Sequence, residues 1–373
     1  MKRQSIKFVT SLILFSLLLA ACAPTATPAV TVEPNATVEP TVASTSAPAV
    51  EATTAETALA PLSPVQKVTV AYVPIMKFAA LYVAKERGFF EQQGLDVTLQ
   101  SVSSGTDAIA FLSEGKVDVA GVSIVASLWN GWAQGLDMRI ILPGALEPFT
   151  NSPTVFLVRK DLIDDGTIKT MADLKGKTVA VAGGAGSGGE YLAAKALETG
   201  GLTIFDVTMQ NVANADMPAA FQNKAIDAGL LGSPYADQVI NAGYAVAFAK
   251  DITPGLMTVA FVGSGNFITQ RTDVAQRFAL AMAEATLAMQ GDQYLADENM
   301  AAYLAHVQTT ADAIKNGSPV VYDPTLNIPV SGLEDEELTN LKNGRLSYTT
   351  PLDMTKVVDT SFVTWALAHL PKP

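Results

Sequence analysis

Cysteine and histidine are almost absent from the sequence, and this scarcity limits the chemistry that the chain can perform. Cys22 is the only cysteine among 373 residues, and the two histidines are His306 and His369. A lone cysteine has no disulfide partner within the sequence, and no group of His, Cys and Asp has the spacing of metal ligands. The Gly-x-Ser-x-Gly motif of hydrolases is missing as well. We therefore expect no catalytic residue, no metal and no cofactor.

Basic residues are also scarce. The chain carries 24 Lys and Arg against 36 Asp and Glu, a formal net charge of −12. Nucleic-acid-binding proteins need basic stripes, so this balance argues against a nucleic-acid partner. After the first 21 residues the sequence also lacks an apolar run long enough to cross a membrane. Both observations exclude large classes of function before any motif is considered.

The N-terminal segment has the pattern of an export signal. Three basic residues precede an apolar run at 8–19, which ends in Leu-Ala-Ala-Cys at 19–22. This pattern over residues 1–21 resembles a bacterial lipoprotein signal, which implies a lipid on Cys22. Residues 23–64 contain no Lys or Arg and are rich in Ala, Thr, Pro and Val, so we expect a disordered tether over 22–64. The predicted location is the outer face of the cytoplasmic membrane, in the periplasm or at the cell surface.

From Lys67 onward, short apolar strands alternate with helical segments. The strand VTVAYVP at 68–74, for example, is followed by the helical pattern FAALYVAKERG at 78–88. Such alternation predicts mostly parallel sheets covered by helices, an α/β fold. The length is sufficient for two lobes, which we place at 65–150 plus 256–373 and at 151–255, joined by two crossing strands. Beyond residue 256 the apolar periodicity predicts helices over 272–290, 292–315, 334–342 and 353–370.

A glycine-rich loop lies between a predicted strand and a predicted helix. Gly184, Gly186 and Gly189 fit the Gly-x-Gly-x-x-Gly spacing of dinucleotide-binding loops. In such enzymes an acidic residue about 20 positions later ends the next strand and binds the ribose. Here Asp206 comes before that strand, and Gly189-Glu190 stands where a phosphate-binding Walker loop needs Lys-[Ser/Thr]. A periplasmic nucleotide-dependent enzyme is therefore a weak alternative, and the loop is better explained by another ligand.

Several motifs resemble the thiamine-pyrimidine and alkanesulfonate family of solute-binding proteins of ABC importers. They are Tyr82-Val83-Ala84, Gly88-Phe89-Phe90, Gly94-Leu95-Asp96-Val97, and the segments 115–123, 173–181 and 353–367. The resemblance implies a periplasmic-binding-protein-like α/β fold of type II. Its two doubly wound lobes are joined by a two-strand hinge and carry extra C-terminal helices. It also implies a monomer that closes on a small molecule and delivers it to a transmembrane permease. Eukaryotic relatives that make pyrimidines use a cysteine-rich run and a histidine. This chain has no such run, and its two histidines lie in predicted C-terminal helices, away from the expected cleft.

Ligands of open α/β sheets bind at the carboxyl ends of strands, where helix N-termini present free N–H groups. This rule and the predicted hinge give a set of candidate ligand-binding residues. They are Met76, Lys77, Phe78, Ser104, Thr106 and Ser123 in the first lobe; Glu147, Phe149 and Asn151 at the hinge; and Gly184, Gly186, Ser187, Tyr191, Asn211, Ser233 and Tyr235 in the second lobe. Tyr191 could instead pack under its own helix, and Lys77 could be a solvated surface charge.

Three ligand chemistries compete. A small hard anion needs Arg, Lys or stacked N–H donors, and Lys77 is the only basic residue among the candidates. A planar heteroaromatic ring needs aromatic faces, which Phe78, Phe149, Tyr191 and Tyr235 could supply. We therefore rank riboflavin first and the aminopyrimidine precursor of thiamine second, with an alkanesulfonate, taurine or nitrate as the alternative. Many members of the family have Glu-Pro where this chain has Ser233-Pro234, so a relative's ligand cannot be transferred directly.

Overall fold

The computed structural model describes residues 59–102, 105–317 and 319–371, and the predicted signal, the lipidation site Cys22 and Ser104 lie outside these ranges. Its strands form two five-stranded sheets. The strands are β1 (Gln66–Tyr72), β2 (Leu95–Ser101), β3 (Val119–Ser123), β4 (Met138–Pro143), β5 (Thr154–Arg159), β6 (Thr178–Val181), β7 (Thr208–Asn211), β8 (Ala228–Gly232), β9 (Ala245–Ala249) and β10 (Val259–Ser264).

Helices cover both sheets and continue beyond the last strand. The α-helices are α1 (Ala79–Glu86), α2 (Phe89–Gln92), α3 (Gly105–Ser113), α4 (Ala126–Ala133), α5 (Lys160–Asp164), α6 (Gly188–Glu198), α7 (Met217–Gln222), α8 (Tyr235–Asn241), α9 (Gly265–Gln270), α10 (Thr272–Leu287), α11 (Asp297–His306), α12 (Ala311–Asn316), α13 (Val330–Lys342) and α14 (Ser361–Ala368). Short 3₁₀ turns lie at Met76–Phe78, Met171–Leu174, Ile204–Asp206, Gly291–Leu295 and Met354–Lys356. None of the helices in the described part of the chain is long and apolar enough to cross a membrane.

The first lobe is built on the sheet with strand order β2-β1-β3-β10-β4. β1 pairs in parallel with β2 and β3, whereas β10 runs antiparallel between β3 and β4. The helix α10 packs against α1, α2 and α14 through an alanine-rich face, and Phe278 on it stacks on Phe90 with ring centroids 5.1 Å apart. Small side chains let helices approach closely, so this lobe has a dense core.

The second lobe repeats the plan with strand order β7-β6-β8-β5-β9. β6 is parallel to β7 and β8, and β5 runs antiparallel to both β8 and β9. In each sheet the antiparallel strand is the first one after the chain crosses from the other lobe: β5 in the second sheet and β10 in the first. The sequence prediction of two α/β lobes is confirmed, and each sheet is mixed, with four of its five strands running in one direction.

Two chain segments connect the lobes and lie side by side. The N–H of Glu147 donates to the carbonyl of Leu256 at 2.7 Å, and the N–H of Gly255 donates to the carbonyl of Glu147 at 3.0 Å. Leu146 forms an antiparallel bridge with Met257. This pairing gives the two-strand hinge that the sequence predicts.

The C-terminal helices differ in detail from the prediction. The helix expected over 292–315 is interrupted, because the chain is extended at Val307 and Thr310 then caps α12 by accepting the N–H of Ala313 at 3.1 Å. The helix expected over 353–370 is also divided, since Val358 forms a parallel bridge with Ile140 at the edge of the first sheet. Helix α13 begins four residues earlier than predicted, directly after Pro329.

Candidate functional site

A cleft of about 610 Å³ lies between the two lobes. It is located at the carboxyl ends of β1 and β3 in the first sheet and of β6 and β8 in the second, where ligands of α/β sheets bind. The connecting segments contribute Pro153, Thr154 and Thr258. Both lobes therefore supply walls to the same cavity, so a molecule held there would contact both at once.

The N-termini of three helices open onto this cleft. Gly105 and Thr106 begin α3, Ala126 and Ser127 begin α4, and the segment 186–189 begins α6. The first N–H groups of a helix have no partner within it, and the helix dipole makes this end positive. Hydroxyl groups of these first turns lie among the N–H groups. The cleft is therefore rich in hydrogen-bond donors.

The glycine-rich loop before α6 touches the first lobe. The N–H of Ala126 donates to the carbonyl of Gly186 at 2.9 Å, across the cleft. Gly186 has φ +74°, and a Cβ at this position would lie 2.6 Å from the Cβ of Ala126. A side chain is therefore excluded by both backbone conformation and space. The two lobes are in contact on this side, which is the closed arrangement of a hinged cleft.

Lys77 is the only cationic side chain among the described residues that line the cleft. Its Nζ donates to Oε1 of Glu147 and, at 2.8 Å, to Oγ1 of Thr258. Glu147 is 3% exposed and also accepts from Thr258 at 3.2 Å and from Ser152 at 3.4 Å. The positive charge of Lys77 is thus neutralised by a buried carboxylate, which weakens its attraction for an anion.

A second buried carboxyl group interacts with this pair. Glu336 on α13 is 1% exposed, and neither of its oxygens has a hydrogen-bond partner. Burial raises its pKa well above the usual range. The positive charge of Lys77 acts in the opposite direction, and the negative charges of Asp335 and Glu147 add to the increase in pKa. Ionisation of this carboxyl group inside the protein therefore costs more than in water.

Seven of the candidate residues from the sequence line the cleft: Met76, Lys77, Thr106, Ser123, Gly186, Ser187 and Ser233. They all lie at or just after strand ends, which is the edge of each sheet that the strand-end rule selects. The cleft wall also includes Ser127, Thr154, Leu192, Thr258 and Val320, which the sequence reasoning missed. Ser127 lies in the first turn of α4 and the same rule could have found it. Thr258 and Val320 arrive from distant parts of the chain and no local pattern marks them.

The aromatic candidates lie elsewhere. Phe78 is fully buried against Phe261, with ring centroids 5.4 Å apart and an edge-to-face geometry. Tyr191 is 4% exposed, and its hydroxyl donates to Asp335 on α13 at 2.6 Å, so its side chain lies outside the cleft wall. Phe149 is 65% exposed outside the cavity. No described residue of the cleft wall is aromatic, which corrects the expectation of stacking faces.

The remaining candidates occupy positions next to the cleft. Gly184 packs against Asn211, whose side chain would lie 3.3 Å from a Cβ added to Gly184. Asn151 lines a neighbouring groove, and Tyr235 is partly buried in the core of the second lobe. Glu147 lies behind Lys77. These residues support the walls and do not form the surface.

The two histidines, which are the groups that could perform catalysis, also lie away from the cleft surface. His306 stacks on Tyr82, with ring centroids 4.9 Å apart, and His369 stacks on Trp365. Neither histidine lines the cleft. Among the described residues, no group of three or more His, Cys, Asp or Glu could hold a metal ion.

Comparisons with known proteins agree with this architecture. The riboflavin-binding protein RibY of Chloroflexus aurantiacus is 26% identical over 234 residues, which are 59% of this chain and 56% of RibY. The chain therefore spans little more than half the length of this relative. The periplasmic nitrate-binding protein NrtA of Synechocystis PCC 6803 superposes with a TM-score of 0.65 at 18% identity, over 84% of this chain and 91% of NrtA.

Two further solved structures show how widely the fold is used. The periplasmic aliphatic sulphonate-binding protein SsuA of Escherichia coli has a TM-score of 0.63 at 18% identity, over 79% of this chain and 97% of SsuA. The desulfurization enzyme DSZB has a TM-score of 0.61 at 17% identity, over 81% of this chain and 99% of DSZB. At these identities the likeness shows the fold alone, a type II periplasmic-binding-protein fold that also occurs in an enzyme.

A family model assigns the chain more directly. The model described as NMT1/THI5 like matches residues 75–294, which begin at the first cleft segment and continue into the C-terminal helices. This range includes the glycine-rich loop, both connections between the lobes and most of the cleft wall. The chain belongs to the NMT1/THI5-like family.

Proposed function

We propose that this protein is the solute-binding component of an ABC import system. It captures a small molecule in the cleft by closure of the hinge and delivers it to a permease. The observation that carries the proposal is the donor-rich cleft between two lobes that are joined by paired strands. Ligand-driven closure of such lobes is a shift of population toward the form that contacts the ligand from both sides. The names of RibY, NrtA and SsuA support the same role.

As ligand we propose a flat heteroaromatic vitamin or precursor, with riboflavin first and the thiamine-precursor aminopyrimidine second. The volume of about 610 Å³ suits a molecule of this size, within the range of small-molecule sites. Aliphatic side chains on the wall, such as Leu192, Leu230 and Val259, can cover the faces of a ring. Hydroxyl groups of Ser123 and Ser233 can bind its edges. The lack of aromatic residues on the wall means that this proposal rests on shape and hydrogen bonding and not on stacking.

An alkanesulfonate, taurine or nitrate is the second candidate. The observation that favours it is the convergence of the α3, α4 and α6 N-termini on one cavity. Backbone N–H groups at helix N-termini bind anions without any basic side chain. The pairing of Lys77 with Glu147 counts against it, because the wall then offers no unpaired cation among the described residues.

A thermal-shift panel separates these ligands. Riboflavin, the aminopyrimidine, taurine and nitrate are each added to the purified protein, and binding raises the unfolding temperature by mass action. We expect riboflavin to give the largest shift. Stabilisation by taurine or nitrate alone would reject the vitamin. No shift with any of the four would reject all the proposed ligands.

Matched serine variants then place the ligand in the cleft. Ser123→Ala and Ser233→Ala each remove a hydroxyl from the wall, and Ser113→Ala removes one from the exposed end of α3. Loss of one hydrogen bond should weaken binding by about three- to tenfold at the wall positions and leave the Ser113→Ala affinity unchanged. Equal affinities for all three variants in calorimetric titration would exclude the cleft as the binding site.

We further propose that the protein is exported, that residues 1–21 are the signal and that Cys22 carries the lipid. In the same proposal, residues 22–64 tether a monomer whose lobes comprise 65–150 plus 256–373 and 151–255. The sequence pattern before Cys22 supports this reading. Replacement of Cys22 by Ala should move the protein from the membrane fraction to the soluble fraction. Continued retention in the membrane would contradict lipid anchoring.

We also propose that the protein binds its solute without transforming it. The binding-protein names of the relatives support this, whereas the fold of DSZB shows that the architecture can host a reaction. Riboflavin that is incubated with the protein and recovered after denaturation should be chemically unchanged by chromatography. A new product that depends on the protein would overturn this part of the proposal.

A further inference from the structure

The carboxylate of Glu190 is buried outside the cleft wall. Glu190 lies in the first turn of α6 and is 2% exposed. Its Oε2 accepts the N–H of Gly186 at 2.8 Å and the Nε–H of Arg345 at 2.7 Å, and its Oε1 accepts from Nη2 of Arg345 at 2.6 Å. The two parallel bonds from the guanidinium make this a bidentate ion pair, the strongest common type of charged contact in proteins.

Arg345 approaches Glu190 from the first lobe. Its carbonyl accepts the side-chain N–H of Asn130 at 3.3 Å. Two residues later, the N–H and hydroxyl of Ser347 donate to Oδ1 of Asn130 at 2.7 and 2.9 Å. Leu346, between them, packs on the hydrophobic core of the first lobe. The backbone that carries Arg345 is therefore fixed to α4, while its guanidinium holds a carboxylate of the second lobe.

These contacts close a ring of hydrogen bonds that passes through both lobes. From Ala126 the ring leads to the carbonyl of Gly186, and from the N–H of Gly186 to Glu190. It continues to Arg345 and returns to Asn130. Ala126 and Asn130 lie on the same helix, four residues apart and so on one face. The ion pair therefore acts on Gly186, a residue that lines the cleft, without reaching the cavity itself.

We propose that Arg345 is a positioning residue for solute binding, because its ion pair with Glu190 holds the lobes closed and fixes the glycine-rich loop. We call this contact the Arg345–Glu190 latch. The proposal rests on the proposed solute-binding function and specifies how the closed form is retained. Because the latch must open before a solute can leave, it sets the dissociation rate. Association requires the open form, so loss of the latch should not slow it.

A second contact between the lobes is weaker. Tyr191 and Lys195 on α6 both bind Asp335 on α13, at 2.6 and 3.2 Å. The side chain of Asp335 is 46% exposed, so water screens these interactions. The carboxylate of Glu190 is almost completely buried, and removal of its partner leaves a buried charge uncompensated. The latch therefore dominates closure on this side.

Fluorescence energy transfer between the lobes tests the latch without any ligand. Lys116→Cys in the first lobe and Lys175→Cys in the second give exposed labelling positions, with 62% and 73% side-chain exposure, when Cys22 is replaced by Ser. Arg345→Gln should raise the population with widely separated dyes in the ligand-free protein. Asn130→Ala, which leaves the ion pair intact but releases Arg345 from α4, should do the same.

The matched control breaks an ion pair inside the first lobe. Arg271 binds Asp118 at 2.8 Å, and its side chain is 27% exposed, against 26% for Arg345. Arg271→Gln should therefore reduce stability without changing the separation of the lobes. Unchanged energy transfer in both Arg345→Gln and Asn130→Ala, or an equal change in Arg271→Gln, would overturn the latch.

Riboflavin kinetics provide the second readout. Stopped-flow measurements on Arg345→Gln should show a dissociation rate about tenfold higher, with an association rate that is unchanged or raised, because more of the ligand-free protein is open. Arg345→Lys, which keeps the charge and loses the bidentate geometry, should fall between Arg345→Gln and the unmodified protein. A dissociation rate unchanged in Arg345→Gln would reject the latch. If riboflavin does not bind even the unmodified protein, the proposed ligand fails while the energy-transfer result still decides the latch.

Discussion

Replacement of Glu336 by Met should stabilise the protein, which is the opposite of the usual effect of a change in a core. Glu336 is 1% exposed and both carboxyl oxygens lack a hydrogen-bond partner. Burial of a polar group without a partner costs about 1–3 kcal/mol in proteins. A thioether of similar length removes this cost and retains most of the packing.

The expected gain can be expressed as an unfolding temperature. With an unfolding entropy of about 2.1 cal/mol/K per residue over roughly 310 folded residues, about 1–3 kcal/mol corresponds to about 2–5 °C. The gain depends on pH because the folded-state pKa of Glu336 lies well above the value of 4.5 in the unfolded chain. Below pH 4.5 the carboxyl group is protonated in both states. As pH rises from 4.5 to the raised folded-state pKa, the unfolded state is stabilised by ionisation and the folded protein loses stability.

Differential scanning calorimetry from pH 4 to pH 9 measures both effects. The difference in unfolding temperature between Glu336→Met and the unmodified protein should grow as pH increases. Glu336→Gln should show the same loss of pH dependence with a smaller gain, since the amide remains buried without a partner. Glu334→Met, at an exposed position two residues earlier on the same helix, is the control and should change the temperature little at any pH. A difference that is constant or shrinks with pH would refute the reasoning.

Three further substitutions test the contacts around the cleft. Lys77→Met leaves the buried Glu147 without its cation and should cost about 3–5 kcal/mol in urea unfolding, so that a loss below about 1 kcal/mol would contradict the pairing. Tyr191→Phe removes the bond to Asp335 and should cost about 1 kcal/mol. Its solute affinity should stay within about twofold in calorimetric titration, and a larger loss would return Tyr191 to the binding surface. Gly186→Ala forces a Cβ against the facing helix at positive φ, so the free energy of unfolding should fall by about 1–2 kcal/mol and solute affinity about tenfold; unchanged affinity would show that the loop need not touch the first lobe.

Much of the fold could be predicted from the sequence because its signals are local. Alternating apolar strands and helices terminated by glycine mark each βα unit, and parallel pairing follows from that order. The interruptions of the C-terminal helices could not be predicted in this way. The break before α12 and the bridge between Val358 and Ile140 depend on contacts with distant parts of the chain. Helical periodicity in those segments is real, but tertiary packing overrides it.

The candidate site was predictable to the extent that it depends on topology. The strand-end rule leads to Lys77, Thr106 and Ser123 because the carboxyl ends of parallel strands share one edge. The rule gives no information about the direction of a side chain, so it also selects Phe78 and Tyr191, although both side chains are buried in cores. Adjacent positions on a helix face different ways, and only the packing of the lobe decides which one meets the cavity.

The central position of β10 in the first sheet determines the order in which the protein can be assembled. β10 lies between β3 and β4, although the whole second sheet separates it from them along the chain. Until residues 259–264 have been made, β4 has no neighbouring strand in its sheet. The second sheet is formed by one continuous stretch, 154–249, and can complete its pairing earlier. Because pairing across a long loop is slow, the inserted lobe should fold first and the lobe that begins the chain should fold last.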